Sequence, residues 1–342
     1  MNKKRIISIA LVIALFVGVE FVYAAGNKMT NYPNGFPGGV TLRNLPAHTV
    51  HPGHVYWVDS QTGGDGNPGT FGKPFATIDA AIGHCTANRG DEIWVKSGHS
   101  EYYDASSELD FDVAGVRIIG VGNGRNRPWI NISGVTTFII EVAAANCSLE
   151  NLVFDFTSPD DSGSSNQLFG DCVIYVNAAD FRFVNNEIIM TDTFGQCYSA
   201  MSATTEAHRM LVDSNYISGS TNTGGAKAIQ FHGAPRGVRI TNNIIEGDYS
   251  NAALYSHYGD LFLDMLIQGN IILNRQASDH AIEFLGAGTG WIIKNFILTD
   301  AVATSVDPGS MSATWNSYYD TTANTSDASG TTRIFSLSGG IL

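Results

Sequence analysis

Apolar and polar residues recur along most of this chain in short runs with a period of two, the signature of strands with one buried face. One stretch departs from that rhythm. Between Phe75 and Asn88, Ile78, Ala81, Ile82 and Cys85 fall on one face, which predicts a short amphipathic helix over about 75–88. Gly90 follows, and then a strand, Glu92-Ile93-Trp94-Val95. The strand-like segments are themselves repetitive. An Asn, a variable residue and an aliphatic residue recur as Asn151-Leu152-Val153, Asn186-Glu187-Ile188, Asn215-Tyr216-Ile217, Asn243-Ile244-Ile245, Asn270-Ile271-Ile272 and Asn295-Phe296-Ile297, with a degenerate copy at Asn316-Ser317-Tyr318. Successive copies lie roughly 20–35 residues apart, about one coil of a solenoid.

The physics of such a repeat is specific. Asn tolerates the left-handed backbone of a sharp corner, and Asn stacked on Asn can form a ladder of amide hydrogen bonds. The aliphatic residue two places on suits an inward strand position. A second column aligns independently: Ile140-Glu141-Val142, Ile174-Tyr175-Val176, Ala200-Met201-Ser202, Ile229-Gln230-Phe231, Leu254-Tyr255-Ser256 and Ile282-Glu283-Phe284. Its middle residues, Glu141, Tyr175, Met201, Gln230, Tyr255 and Glu283, are expected to face outward. One coil cannot bury its own apolar face, so stacking must supply the core. The expectation is an all-β chain, a right-handed parallel β-helix, occupying 55–301 behind the short capping helix. Leucine-rich repeats would need a denser Leu framework and a shorter, steadier period.

The two ends read differently. Lys3-Lys4-Arg5, an apolar run from Ile6 to Val19 and Val22-Tyr23-Ala24 form a secretory leader over 1–24. That run is short of the ~20 residues a spanning helix needs. An extended arm is expected over 25–54, and fading coils with a cap or partner contact over 302–342. The expected location is therefore exported, extracellular or periplasmic. The net charge of −13 removes nucleic acid as a partner, since phosphates demand a basic face. Export gives the four cysteines meaning. Cys147, Cys172 and Cys197 follow one another at one constant interval close to a coil, which leaves disulfides and simple burial both open, while Cys85 belongs to the helix core.

Tyr56-Trp57-Val58-Asp59, Gly64-Asp65-Gly66-Asn67-Pro68-Gly69-Thr70 and Lys73-Pro74-Phe75-Ala76-Thr77-Ile78 resemble the opening of pectate-lyase-like right-handed β-helix proteins. The resemblance implies the fold and its capping helix. It does not imply one activity, because that superfamily holds lyases, hydrolases, esterases, phage tailspikes and non-catalytic structural proteins. Residues 29–130 also resemble β-helix proteins of phage and prophage structural regions, at Thr30-Asn31-Tyr32-Pro33-Asn34-Gly35-Phe36, Gly90-Asp91-Glu92-Ile93-Trp94-Val95 and Gly122-Asn123-Gly124-Arg125-Asn126-Arg127-Pro128. This implies a virion-surface or decoration role, a homotrimer, and docking to a larger assembly through the N-terminal arm. The secretory leader departs from that pattern.

Candidate chemistry is sparse. Glu141 and Glu283 stand at opposite ends of the outward column, about 24 Å apart at ~4.8 Å per strand. A glycosidase pair must lie within about 5–10 Å. Asp160-Asp161 reads as a solvated loop. Asp59, Asp65 and Asn67 offer oxygens to Ca2+, although Asx turns account for them more simply, and no other cofactor is implied. Arg236 and Arg239 lack the Arg-Pro-x-x-Arg setting of pectate lyases. His232 and His257 fall at equivalent places in adjacent coils, where they can bind a sugar or titrate together. With them, Tyr175, Gln230, Tyr255 and Glu283 form the expected ligand face, suited to stacking on sugar rings and bonding hydroxyls. Two functions follow: a non-catalytic structural or adhesive β-helix of virion type that binds cell-surface glycan, or a secreted polysaccharide lyase or glycoside hydrolase.

Overall fold

In the computed structural model, the described residues are 53–104, 109–133, 139–158, 172–190, 199–219, 227–276, 279–299, 305–314 and 316–320. The leader, nearly all of the arm, Asp160-Asp161, Cys197 and the tail from 321 lie outside them. The described chain winds through three parallel sheets of ten, eight and nine strands. Every strand except those at the two ends of each sheet pairs with its counterpart in the coil before and the coil after. A representative coil runs Leu211–Asp213, Tyr216–Ser218 and Lys227–Phe231, and the next begins at Arg239–Thr241. This is the right-handed parallel β-helix that the repeat predicts.

Branched and aromatic side chains fill the interior because each inward position sits beneath its equivalent in the next coil. Ile188, Ile217, Ile245, Ile272 and Ile297 form one such file under the nine-stranded sheet, all fully buried. Each contributes about 1.5–3 kcal/mol from lost apolar exposure. Phe154 and Ile130 carry the file into the two preceding coils.

The asparagine ladder is real and its register is instructive. The Asn186 amide N–H donates to Asn215 Oδ1, Asn215 to Asn243, Asn243 to Asn270, Asn270 to Asn295 and Asn295 to Asn316, all at 2.8–3.0 Å. Each side-chain amide also donates back to a backbone carbonyl, as Asn243 does to Val212 O at 2.9 Å. Asn151 does not join this file. Leu152 stands in its place and donates its N–H to Asn186 Oδ1. Asn151 belongs to the neighbouring column, bonded to Asn185.

That neighbouring column, and not the ladder, carries the left-handed backbone. Asn151, Asn185, Ser214, Asn242 and Lys294 have φ near +56 to +59°, with Gly269 at 71°. The sequence expectation placed corner and ladder on the same residue. The structure divides the two jobs between consecutive residues: the ladder asparagines are buried and bond to the coils on both sides, while the corner needs only tolerance of positive φ.

The helix is shorter than predicted, spanning Ile78–Ile82. Thr77 Oγ1 caps it by accepting from Ala80 N at 3.2 Å, and Glu101 accepts from Ile78 N. Gly83 ends it, and Asn88 turns through φ 58° to bond Ala114 O in the next coil. Ile78, Ala81 and Ile82 are buried against the first strands.

Candidate functional site

The eight-stranded sheet carries the expected ligand face. Its register aligns Asp110, Glu141, Tyr175, Ser202, Gln230, Tyr255, Glu283 and Asp307 in one file. Gln230 lies between the core residues Ile229 and Phe231 and therefore on the outer side by alternation. Met201 is displaced from the predicted file. It pairs with Ile174 and Ile229 and is fully buried in the core, and Ser202 takes the outer position. The strand Ser199–Ala203 is buried on both sides and built from small residues, so its own pattern did not distinguish the two parities; its neighbours' isoleucines do.

Two places further along each strand lies a second file. His232 and His257 sit side by side there, ring centroids 6.4 Å apart and nearly perpendicular. Asp260 turns back beneath them. It accepts from the backbone N–H of His257 and of Gly233, each at 2.9 Å, and its Oδ1 lies 3.3 Å from His232 Nδ1. In the preceding coils Thr204 Oγ1 donates to Asn177 Oδ1 at 2.8 Å. All six predicted site residues, Tyr175, Gln230, Tyr255, Glu283, His232 and His257, thus share one outer face.

The face is less wet than a bare strand surface. Gln230 is 5% and Tyr255 7% exposed, while Tyr175 and Glu283 are half-buried. At its centre stands a residue the sequence reading did not single out. Lys227 is 1% exposed, its ammonium 3.1 Å from Gln230 Oε1 and 4.4 Å above the Tyr255 ring. Gln230 Nε2 in turn donates to Ser202 Oγ at 3.1 Å. The polar centre is therefore built as a connected chain, Lys227 to Gln230 to Ser202, with a cation on an aromatic face.

Burial pushes the Lys227 amine down to about 7, the nearby Glu283 carboxylate opposing the shift. Burial also raises Glu283, with Asp307 and Asp279 adding to the rise and His280 and Lys227 opposing it. His280 Nδ1 lies 3.8 Å from Glu283 Oε1. Desolvation raises Tyr175 as well. A lysine and a carboxyl thus stand on one face, each shifted by burial toward its neutral form. The sequence clue was present: Lys227 occupies a file whose other members are Cys172, Ser199, Ala252 and His280.

Chain length marks the same face. The connection from the ten- to the nine-stranded sheet is only Ser214-Asn215 or Asn242-Asn243. Residues 159–171, 191–198 and 219–226 all lead into the eight-stranded sheet. Insertions gathered at one face of a solenoid usually mark its binding side.

Other predicted residues have structural duties. Asp59 bonds Gln61 N, Asp65 bonds Ala76 N and Thr77 N, and Asn67 bonds Pro74 O, so their polar groups tie their own turns. Among the described residues no group of three or more His, Cys, Asp or Glu could hold a metal. Cys85 and Cys147 are free thiols.

No protein-family model and no curated protein matches the chain. Among solved structures, it is similar to a rhamnogalacturonan lyase at 12% identity and TM-score 0.39, covering 77% of this chain and 87% of that one. It is also similar to the GH136 lacto-N-biosidase of Eubacterium ramulus, at 14% identity and TM-score 0.38 over 78% of this chain and 67% of that one. A DFA-IIIase from Arthrobacter chlorophenolicus A6 matches at 14% and 0.37, over 68% and 57%. At these identities and scores, none of those activities attaches to this chain.

Proposed function

We propose that this chain is an exported β-helix that binds carbohydrate on the outer face of its eight-stranded sheet. The observation that carries this reading is the convergence of Tyr175, Gln230, Tyr255, Glu283, His232 and His257 in two adjacent files, on the sheet that the longest coil connections lead into. Aromatic faces, an amide, imidazoles and a carboxyl are the groups that hold sugar rings and hydroxyls. The acidic chain as a whole disfavours polyanions in general, so recognition would be local to this face. A non-catalytic, adhesive role on a cell or virion surface is the form we favour, because Lys227 is 1% exposed and no substrate atom can reach it in this arrangement.

The test is a glycan array followed by calorimetry on the best hit. Tyr175→Ala and His257→Ala, both outside the buried centre, should each weaken binding at least about 10-fold, worth ~1.4 kcal/mol. Unchanged binding by folded variants, or no glycan bound at all, refutes the proposal.

The shifted amine and carboxyl support a second reading, an acidic-polysaccharide lyase. Neutral Lys227 would take the proton from the carbon beside the uronate carboxylate. The C–O bond to the leaving sugar then breaks as the double bond forms, and the leaving oxygen gains its proton from the Glu283 carboxyl, which burial shifts toward its neutral form. New ultraviolet absorbance from an unsaturated uronate, lost in Lys227→Met, would establish that reading. Binding without turnover would retain the first.

A further inference from the structure

The nine-stranded sheet has a cleft of its own, of about 310 Å3, lined by Gly124, Arg125, Trp129, Glu187 and Ile189. Trp129 and Glu187 stand on either side of Val153 in the strand register, so they are separated by two strand spacings, about 10 Å. The short 3-10 turn Gly124–Asn126 forms the lip. Gly124 has φ +56° with nothing near the position of a Cβ, so the lip stays open above the indole.

The walls are fixed by bonds of their own. Trp129 Nε1 donates to Arg125 O at 3.3 Å, which holds the indole edge. Arg127 donates from Nε to Gly124 O at 3.2 Å and pairs through its other nitrogen with the Glu187 carboxylate. The charge of Glu187 is thereby matched, whereas Arg125 is exposed and has no acidic partner among the described residues. The cleft therefore presents a flat apolar ring, a held carboxylate that can accept hydroxyl hydrogens, and one uncompensated guanidinium. Its volume is at the lower end of small-molecule sites, room for one sugar ring and not for a chain.

We propose that this cleft is a separate subsite for a single acidic pyranose, a hexuronate, with its ring on Trp129 and its carboxylate on Arg125. It lies on a different sheet from the face described above and does not depend on that face being a binding site. The natural occupant would be a terminal or branch residue, since an internal residue would carry sugar on both sides.

The test follows the indole N–H resonances of the intact chain by 1H–15N NMR while glucuronate, galacturonate or glucose is added, with Trp129→Phe identifying the Trp129 signal. Hexuronate should shift that signal saturably with a Kd on the order of millimolar, as a ligand of this size allows. Glucose, and hexuronate on Arg125→Ala, should bind at least about 10-fold more weakly, the loss of a charge-assisted bond. Tyr175→Ala should leave the titration unchanged. A shift at Trp129 with no glycan on the eight-stranded face would keep this subsite and remove the proposed function. No shift at Trp129, an equal response to glucose, an unaltered Arg125→Ala, or loss in Tyr175→Ala would each overturn it.

Discussion

Replacing Asn243 with Ala tests the ladder where it is most enclosed, at 1% exposure. The Asn243 side chain takes part in four hydrogen bonds. Its Oδ1 accepts from Asn215 N and Asn215 Nδ2, each at 2.9 Å, and its Nδ2 donates to Val212 O at 2.9 Å and to Asn270 Oδ1 at 3.0 Å. Such bonds contribute about 0.5–1.5 kcal/mol each, and buried groups left without partners cost more. Because alanine strands two donors of Asn215, the expected loss is about 3–5 kcal/mol, a large share of the ~5–15 kcal/mol typical of a folded chain. Asn242→Gly is the matched control. It keeps a residue content with positive φ and removes one exposed bond to Asp213, so it should change stability by less than about 1 kcal/mol. Urea unfolding followed by circular dichroism measures both. If Asn243→Ala unfolds within about 1 kcal/mol of the parent, or Asn242→Gly proves the more damaging, the division of labour between ladder and corner is wrong.

Three further outcomes are expected. Burial pushes the Lys227 amine down to about 7 from the ordinary 10.5; between those values this group binds more protons in the unfolded chain, so its own contribution to stability should rise with pH by at most about 1.4 kcal/mol per unit. Lys227→Met should flatten that slope relative to the parent in urea unfolding from pH 6 to 10 (approximately the window those values bracket), and an unchanged slope would exclude a depressed amine. Buried Glu101 accepts from Ile78 N, His99 and Tyr103 Oη, so Glu101→Ala should cost about 3–5 kcal/mol and speed hydrogen exchange at the Ile78–Ile82 amides while the coils beyond residue 239 keep their protection. Burial pushes the Cys85 thiol up to about 12 and raises Cys147; neither should react with a disulfide reagent at mildly alkaline pH until urea is added, and rapid native labelling mapped to either of these two residues would contradict their burial.

The repeat made the solenoid legible because a period of one coil leaves the same residue types at the same place again and again. Register to the single residue was harder. Asn151 carries the motif and belongs to the corner file, since Leu152 can occupy the ladder position without changing the local pattern. Met201 looked outward because Ala200, Ser202 and Ala203 around it are small, and only pairing with Ile174 and Ile229 sets its direction. The helix was read too long because Cys85 keeps the right spacing after Gly83 has already ended the turn. The register brings Tyr175, Gln230, Tyr255 and Glu283 into one file, but Lys227 at their centre was not seen. Its importance comes from burial, and burial depends on neighbouring coils that a strand pattern does not contain.

The handing-on of identical bonds from coil to coil makes the length of this protein divisible in whole steps. Excising residues 243–269 would join Asn242 to Asn270 and bring Asn270 under Asn215, where it meets the same amide and the same flanking isoleucines that Asn243 offered. A solenoid shortened by one coil would close without a seam, whereas joining Asn242 to the residue one place before or after Asn270 would turn the strand that follows to face the wrong way.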